Sequence, residues 1–195
     1  MASTAELDYE AIVIGAGVAG IYQIKRLTDL GIKATVLDAA GDLGGTWYWN
    51  RYPGARFDSE SFTYGYSFSR ELLDEWHWKE RYSPQPENLK YLNYVADKFN
   101  LRQYMQFNCT VKSARFDERD ASWRLSISDG RELSCRFLIM AVGLLSAPTM
   151  PRIDGIEDFK GQSFHTFHWP HQPVDMSNKK VAVIGTGATG IQVIG

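Results

Sequence analysis

Three short stretches of this chain hold the residue types and spacings that could do chemistry. Gly15-Ala16-Gly17-Val18-Ala19-Gly20 and Gly185-Thr186-Gly187-Ala188-Thr189-Gly190 share the spacing GxGxxG. Such a turn takes a pyrophosphate: its first glycine permits a tight turn, the second admits the phosphates, and the third lets helix and strand pack closely. Between the two, Gly44 to Asp58 places two Trp, two Tyr, two Arg, three Gly and one Pro in fifteen residues. Glycine offers close backbone approach, the rings offer flat faces, and Arg51, Arg56 and Asp58 offer charge. An arbitrary loop of this kind reads more readily as a rigid cap over a sheet. Its place just downstream of a nucleotide fingerprint favours a cofactor-facing role instead.

The elements around these stretches must position them. Glu10 to Gly15 reads as a short, wholly apolar strand, suited to a parallel sheet covered on both faces. Ile21, Ile24, Leu27 and Leu30 then recur at helical spacing, with Gly31 as a stop. Lys33 to Leu37 is a second strand ending in Asp38. That acid lies close to the offset of about 20 residues expected for a ribose-binding carboxylate. Such agreement lifts the first GxGxxG well above a lone motif. Residues 44–58 show neither period and read as an ordered loop. Glu60 to Trp78 is mixed, and its aromatics (Phe62, Tyr64, Tyr66, Phe68, Trp76, Trp78) read as packing.

Pro86 to Asn100 is an amphipathic helix with Leu89, Leu92, Val95, Ala96 and Phe99 as its apolar stripe. Three β runs follow, Gln106 to Phe116, Trp123 to Ser128 and Glu132 to Val142. Asp129-Gly130 is a hairpin signal between the last two. The last run is expected to rejoin the parallel sheet, with Gly143 letting it end against a cofactor. Lys179 to Ile184 reads as a strand feeding the second GxGxxG and a helix start at Ile191. The domain reading is therefore 1–145 for a first nucleotide domain, 146–178 for a linker, and 179–195 for the start of a second nucleotide domain. The expected fold class is α/β, Rossmann-like, with two dinucleotide sites and a β-meander inserted in the first domain.

Bulk properties exclude several classes. With 195 residues, 44% hydrophobic, 23% charged and net charge −2, the composition is that of an ordinary globular protein. The charge argues against a nucleic-acid partner, and no apolar stretch nears the roughly 20 residues that span a bilayer. Met1 to Glu6 shows no secretory leader, so a cytoplasmic location is expected. Cys109 and Cys135 fit reduced thiols. His165, His168 and His171 raise a metal reading, but neither carboxylate nor cysteine partners lie near, so no metal is expected. A linker with buried aromatics is the plainer alternative.

Two dinucleotide fingerprints in one chain point to a hydride donor feeding a flavin. Simple dehydrogenases need one such site. Flavin disulfide reductases need a cysteine pair beside the flavin, and neither cysteine lies near a fingerprint. Flavin monooxygenases remain. The segment Phe159-x-Gly161-x-x-x-His165-x-x-x-Trp169-Pro170 resembles the signature of the Baeyer–Villiger monooxygenases, and it lies between two GxGxxG motifs as in that family. Gly44-Gly45-x-Trp47-x-x-x-x-Tyr52-Pro53-Gly54-x-x-x-Asp58 resembles the family's longer signature, with every defined position filled. Ala141-Val142-Gly143 is similar to a third motif. The ring-ketone and steroid-ketone members are most similar, from Gly44 to Asp58 and from Gly143 to Pro148.

The resemblance implies an NADPH- and O2-dependent enzyme in which FAD, as a C4a-peroxyflavin, oxidises a ketone to an ester or lactone. Gly15, Gly17, Gly20 and Asp38 would hold the FAD pyrophosphate and ribose. Gly45, Thr46, Trp47, Tyr52, Asp58 and Gly143 would lie by the flavin, with Asp58 tuning a catalytic arginine. Gly185, Gly187 and Gly190 would cradle NADPH. Phe159, Gly161, His165, Trp169 and Pro170 would form the junction, with His165 and Trp169 coupling NADP movement to catalysis. Arg51 and Arg56 match signature positions and not the catalytic arginine, which is expected in a C-terminal part beyond residue 195. The competing readings are a related monooxygenase acting on nitrogen or sulfur and a flavin-binding fragment without turnover.

Overall fold

Strand β1 (Tyr9–Ile14) sits inside a six-stranded sheet of order β3-β2-β1-β6-β5-β4 in the computed structural model. Residues 6–195 are described; of the stretch Met1 to Glu6 on which the expectation about a leader rests, residues 1–5 lie outside that range. Ala11, Ile12 and Val13 are fully covered, as a strand packed on both faces requires. Parallel β2 (Ala34–Leu37) flanks it, with Ile14 opposite Leu37. Helix α1 (Val18–Asp29) makes the crossover and buries Gly20, Ile21 and Ile24. It stops through paired bonds, Ile32 N–H to the Leu27 carbonyl and Gly31 N–H to the Thr28 carbonyl. That pattern satisfies carbonyls a helix end otherwise leaves bare.

The run expected as one strand from Gln106 to Phe116 is two. β3 (Met105–Gln106) pairs with β2 at one edge of the sheet, while β4 (Val111–Asp117) pairs with β5 (Ser122–Ile127) at the other. Asn108, at φ 56°, turns the chain between them. Asn108 and Cys109 N–H groups donate to the Ala40 and Asp38 carbonyls there.

β6 (Glu132–Met140) joins two patterns. Its first half, Glu132 to Cys135, pairs antiparallel with β5, and its second half, Cys135 to Met140, pairs parallel with β1. Cys135 itself faces Trp123 on one side and Tyr9 on the other. The expected meander is thus continuous with the parallel sheet. The turn at Asp129-Gly130 forms as expected, closed by Gly130 N–H to the Ile127 carbonyl. Burial of Cys135 pushes its thiol up to about 11. It packs with Ile12, Leu37, Cys109, Leu125 and Ile127.

Two compact units emerge, residues 1–48 with 92–144, and 49–91 with 145–195. The first contains the sheet. Their boundary falls within helix α4 (Gln85–Lys98), whose Leu92, Val95 and Ala96 are buried. In the second unit an aromatic cluster does the packing. Tyr91, 2% exposed, contacts Tyr66, Trp76 and Trp78, with ring centroids 4.9–5.9 Å apart. Phe57 packs on Tyr64 at 3.9 Å. Of the aromatics expected there, Phe62 is the exception at 70% exposed. The short helix α3 (Arg70–Glu75) forms where no period was visible, capped by Ser69 accepting from the Leu72 N–H. The strand expected over Lys179 to Ile184 does not form; among the described residues no strand bonds to it. A parallel strand has no internal hydrogen bonds and exists only beside a partner.

Candidate dinucleotide site and signature segments

In the first unit the glycine turn is built from backbone contacts. Gly15 N–H donates to the Leu37 carbonyl and Ala141 N–H to the Ile14 carbonyl, so the turn leaves the sheet between β2 and β6. A Cβ on Gly20 would lie 1.8 Å from the Gly15 carbonyl oxygen. No side chain could occupy that space, because the obstructing atom is backbone. α1 begins at Gly17 without a side-chain cap and without an acid in its first turn. Its first-turn N–H groups and the helix dipole favour an anion there.

Asp38, 9% exposed, is fixed at the end of β2. Its Oδ2 accepts from Ala16 N–H at 2.5 Å and its Oδ1 from Ala40 N–H at 2.7 Å. A carboxylate has about four acceptor sites, so acceptor capacity remains on Asp38.

Residues 44–58 contain a feature the sequence concealed. Gly44 N–H donates to the Ala16 carbonyl, and Gly45, at φ 53°, lies against Gly17. A Cβ on Gly45 would stand 2.8 Å from the Gly17 Cα. The aromatic segment is therefore seated directly on the nucleotide turn. It then forms a short helix, α2 (Thr46–Trp49), in place of the expected loop. Trp47 is buried and Thr46 exposed, while Gly143 (φ 72°) ends the segment after β6 in open space.

Within the second unit, Phe57 N–H donates to the Ser83 carbonyl and Ser61 N–H to the Arg81 carbonyl. These bonds bracket Asp58, whose side chain is exposed. Tyr52 is buried, and its hydroxyl donates to Gln192 Oε1 at 2.8 Å. In the linker, Phe159 lies over Gly161, where a Cβ would meet the ring at 2.5 Å. His165 Nδ1 accepts from Phe167 N–H at 3.1 Å and so caps the 3-10 turn Thr166–His168. Trp169 packs on Phe164 at 5.3 Å, with Pro170 half-buried beside it. Among the described residues no group of three His, Cys, Asp or Glu could hold a metal, nor is any helix long and apolar enough to cross a membrane.

The second glycine turn repeats the first in shape. Gly187 starts α5 (Ala188–Ile194) without a side-chain cap, and a Cβ on Gly190 would lie 2.6 Å from the Gly185 carbonyl oxygen. Thr189 and Gln192 on this helix face Tyr52. No motif marks Gln192. The sequence signal is its position two residues beyond the fingerprint.

Known proteins match this arrangement along nearly all of its length. The family described as flavin-binding monooxygenase-like matches residues 9–194. A 2-oxo-Δ3-4,5,5-trimethylcyclopentenylacetyl-CoA monooxygenase of Pseudomonas putida is 48% identical over 95% of this chain and 35% of its own length. A Baeyer–Villiger monooxygenase of Pseudooceanicola batsensis is 46% identical over 98% of this chain and 35% of its own. A phenazine N-monooxygenase of Lysobacter antibioticus is 47% identical over 95% and 34%. The crystal structure of OTEMO with FAD and NADP superposes with TM-score 0.91 at 47% identity, covering 97% of this chain and 36% of that one. The chain spans about a third of the length of the curated relatives it matches. With both glycine turns and both signature segments in place along the matched stretch, the chain belongs to the flavin-binding monooxygenase-like family.

Proposed function

We propose that these residues form the FAD-binding region, the linker and the opening of the NADPH site of a Baeyer–Villiger monooxygenase, acting with a C-terminal part as its longer relatives do. The observation that carries this reading is the seating of Gly45 on Gly17, which joins a flavin-family signature to a nucleotide turn. The site fits FAD. Gly15, Gly17 and Gly20 leave the turn without side chains, the α1 N-terminus favours the pyrophosphate, and Asp38 offers acceptors for the ribose.

When bound, FAD supplies hydride acceptance and O2 activation, and NADPH supplies the hydride. The overall change is ketone, NADPH, a proton and O2 to ester or lactone, NADP+ and water. This chain's own residues bind and orient. Thr46 and Trp47 line the ring side, Gly143 bounds it, and Gly185, Gly187 and Gly190 receive the second nucleotide. Asp58 places a negative charge that positions an arginine outside this chain. His165 and Trp169 shape the junction, with Phe159, Gly161 and Pro170 fixing the linker. A cytoplasmic setting accords with Cys109 and Cys135, both free and buried.

One observation favours a second reading. A relative at 47% identity is named for N-oxygenation, so this region tolerates another acceptor. The test is product analysis of the complete protein with NADPH, O2 and a panel of cyclic, linear and aryl ketones beside amines and sulfides. Esters or lactones are expected. Efficient amine or sulfide oxygenation with no ester or lactone would replace the proposal with the second reading. Absence of flavin from the complete protein would sink both. NADPH-dependent O2 uptake by residues 1–195 alone would show that this part turns over without the rest.

A further inference from the structure

The side chain of Gln192 is gripped at every polar atom by one short piece of the signature segment. Its Oε1 accepts from the Tyr52 hydroxyl at 2.8 Å and from Arg56 N–H at 3.4 Å. Its Nε2 donates to the Arg56 carbonyl at 3.2 Å. The Tyr52 hydroxyl also lies 3.4 Å from Thr189 Oγ1, on the same face of α5. Below them, Gly54 (φ 80°) lies so near the helix that a Cβ would fall 1.9 Å from the Gln192 carbonyl oxygen. A primary amide bonded through both of its ends is held in rotation as well as in position. Held this way, a helix cannot roll without breaking all three bonds.

We propose that residues 52–56 are a receptacle for Gln192, and that Gln192 is a positioning residue for the second glycine turn. α5 starts at Gly187, and Ile191 N–H donates back to the Gly187 carbonyl. Fixing Gln192 therefore fixes the direction in which the turn from Gly185 to Gly190 presents its N–H groups. This assigns a purpose to the Tyr52-Pro53-Gly54 part of the signature that differs from facing a flavin ring: it sets the second nucleotide site. The nucleotide half of this inference rests on the function proposed above.

The test uses Tyr52→Phe, Gln192→Met and their double variant, with amide hydrogen exchange along the chain and NADP+ titration calorimetry on the flavin-loaded protein. A lost hydrogen bond of this kind accelerates local opening about five-fold and the lost amide about ten-fold or more, with the double variant no worse than Gln192→Met. These changes are expected at 187–194, with β1 and β6 unaltered as the folding control. NADP+ affinity is expected to fall about ten-fold in Gln192→Met while flavin content stays constant. Gln192→Glu keeps the acceptor for Tyr52 but sets a carboxylate against the Arg56 carbonyl, so it is expected to weaken NADP+ binding as well. Unchanged exchange at 187–194, or additive effects in the double variant, would overturn the receptacle. Faster exchange with unchanged NADP+ affinity would overturn the positioning role. If the unaltered protein binds no NADP+, the reading of the second site fails, and the exchange data still decide whether the grip exists.

Discussion

The chain contains the same six-residue turn twice, and the two copies differ in what surrounds them. Gly15 to Gly20 leaves a strand hydrogen-bonded on both sides and is crossed by Gly45. Gly185 to Gly190 follows residues that make no strand, and Val181 and Ile184 there are exposed. Yet both turns start a helix from an uncapped glycine in extended conformation, and in both the last glycine nests on the carbonyl of the first. The shape of the motif is thus local, a property of glycine spacing. What holds the first copy is the sheet on both sides and Gly45 across it. What the described residues set against the second is the grip of Tyr52 and Arg56 on Gln192.

The largest expected difference concerns the nesting glycines. Gly20→Ala forces a side chain onto fixed backbone and should cost at least about 3 kcal/mol, lowering the thermal midpoint of the sheet. Gly190→Ala creates a milder conflict outside the sheet and should leave that midpoint nearly unchanged. Calorimetric scans of both variants decide it; equal losses would mean the two turns share one cooperative unit.

Asp38 comes next, since it pins the first turn to the end of β2. Asp38→Ala strips the acceptor from two buried N–H groups, at a cost of about 2–3 kcal/mol in urea unfolding. A cost near zero would mean that water replaces the carboxylate and that the first turn is held by glycine spacing alone.

The smallest effect lies at the foot of β1. Asp8 accepts from the Ser134 hydroxyl and from Ser134 N–H, and these bonds hold its carboxyl below the ordinary value of 3.8. A depressed carboxylate stabilises the fold above its ordinary range, and that contribution disappears as pH falls through the lowered value. Ser134→Ala should move the Asp8 titration upward in an NMR pH series and make acid unfolding begin at slightly higher pH. An unmoved titration would assign the depression to the Ser134 backbone instead.

The first strand–helix–strand unit was legible because its signals agree: apolar run, glycine spacing, helical stripe, Gly31 and Asp38. The helix from Gln85 and the hairpin at Gly130 were legible for the same reason. Where the reading failed, a neighbour decided the outcome. Gln106 to Phe116 looks like one strand, but its two ends belong to opposite edges of the sheet and a single left-handed Asn108 divides them. Lys179 to Ile184 has strand composition but no strand partner among the described residues. Thr46 to Trp49 coils into a helix although no period announces it. The shape of the glycine turns and the place of Asp38 at the end of β2 were readable. The contact of Gly45 with Gly17 and the grip on Gln192 were not, because each joins segments distant in sequence.

The space between Gly17 and Gly45 also governs how the protein can vary. A methyl group on Gly45 would stand 2.8 Å from the Gly17 Cα and one on Gly17 3.3 Å from the Gly45 Cα, and neither partner has a side chain left to remove. Ordinary core positions trade size across a contact; this pair has nothing left to trade. The aromatic segment is consequently no graftable module. Moved onto another dinucleotide fold, it would bring its rings but not its seat, unless the recipient turn already left that same gap beneath it.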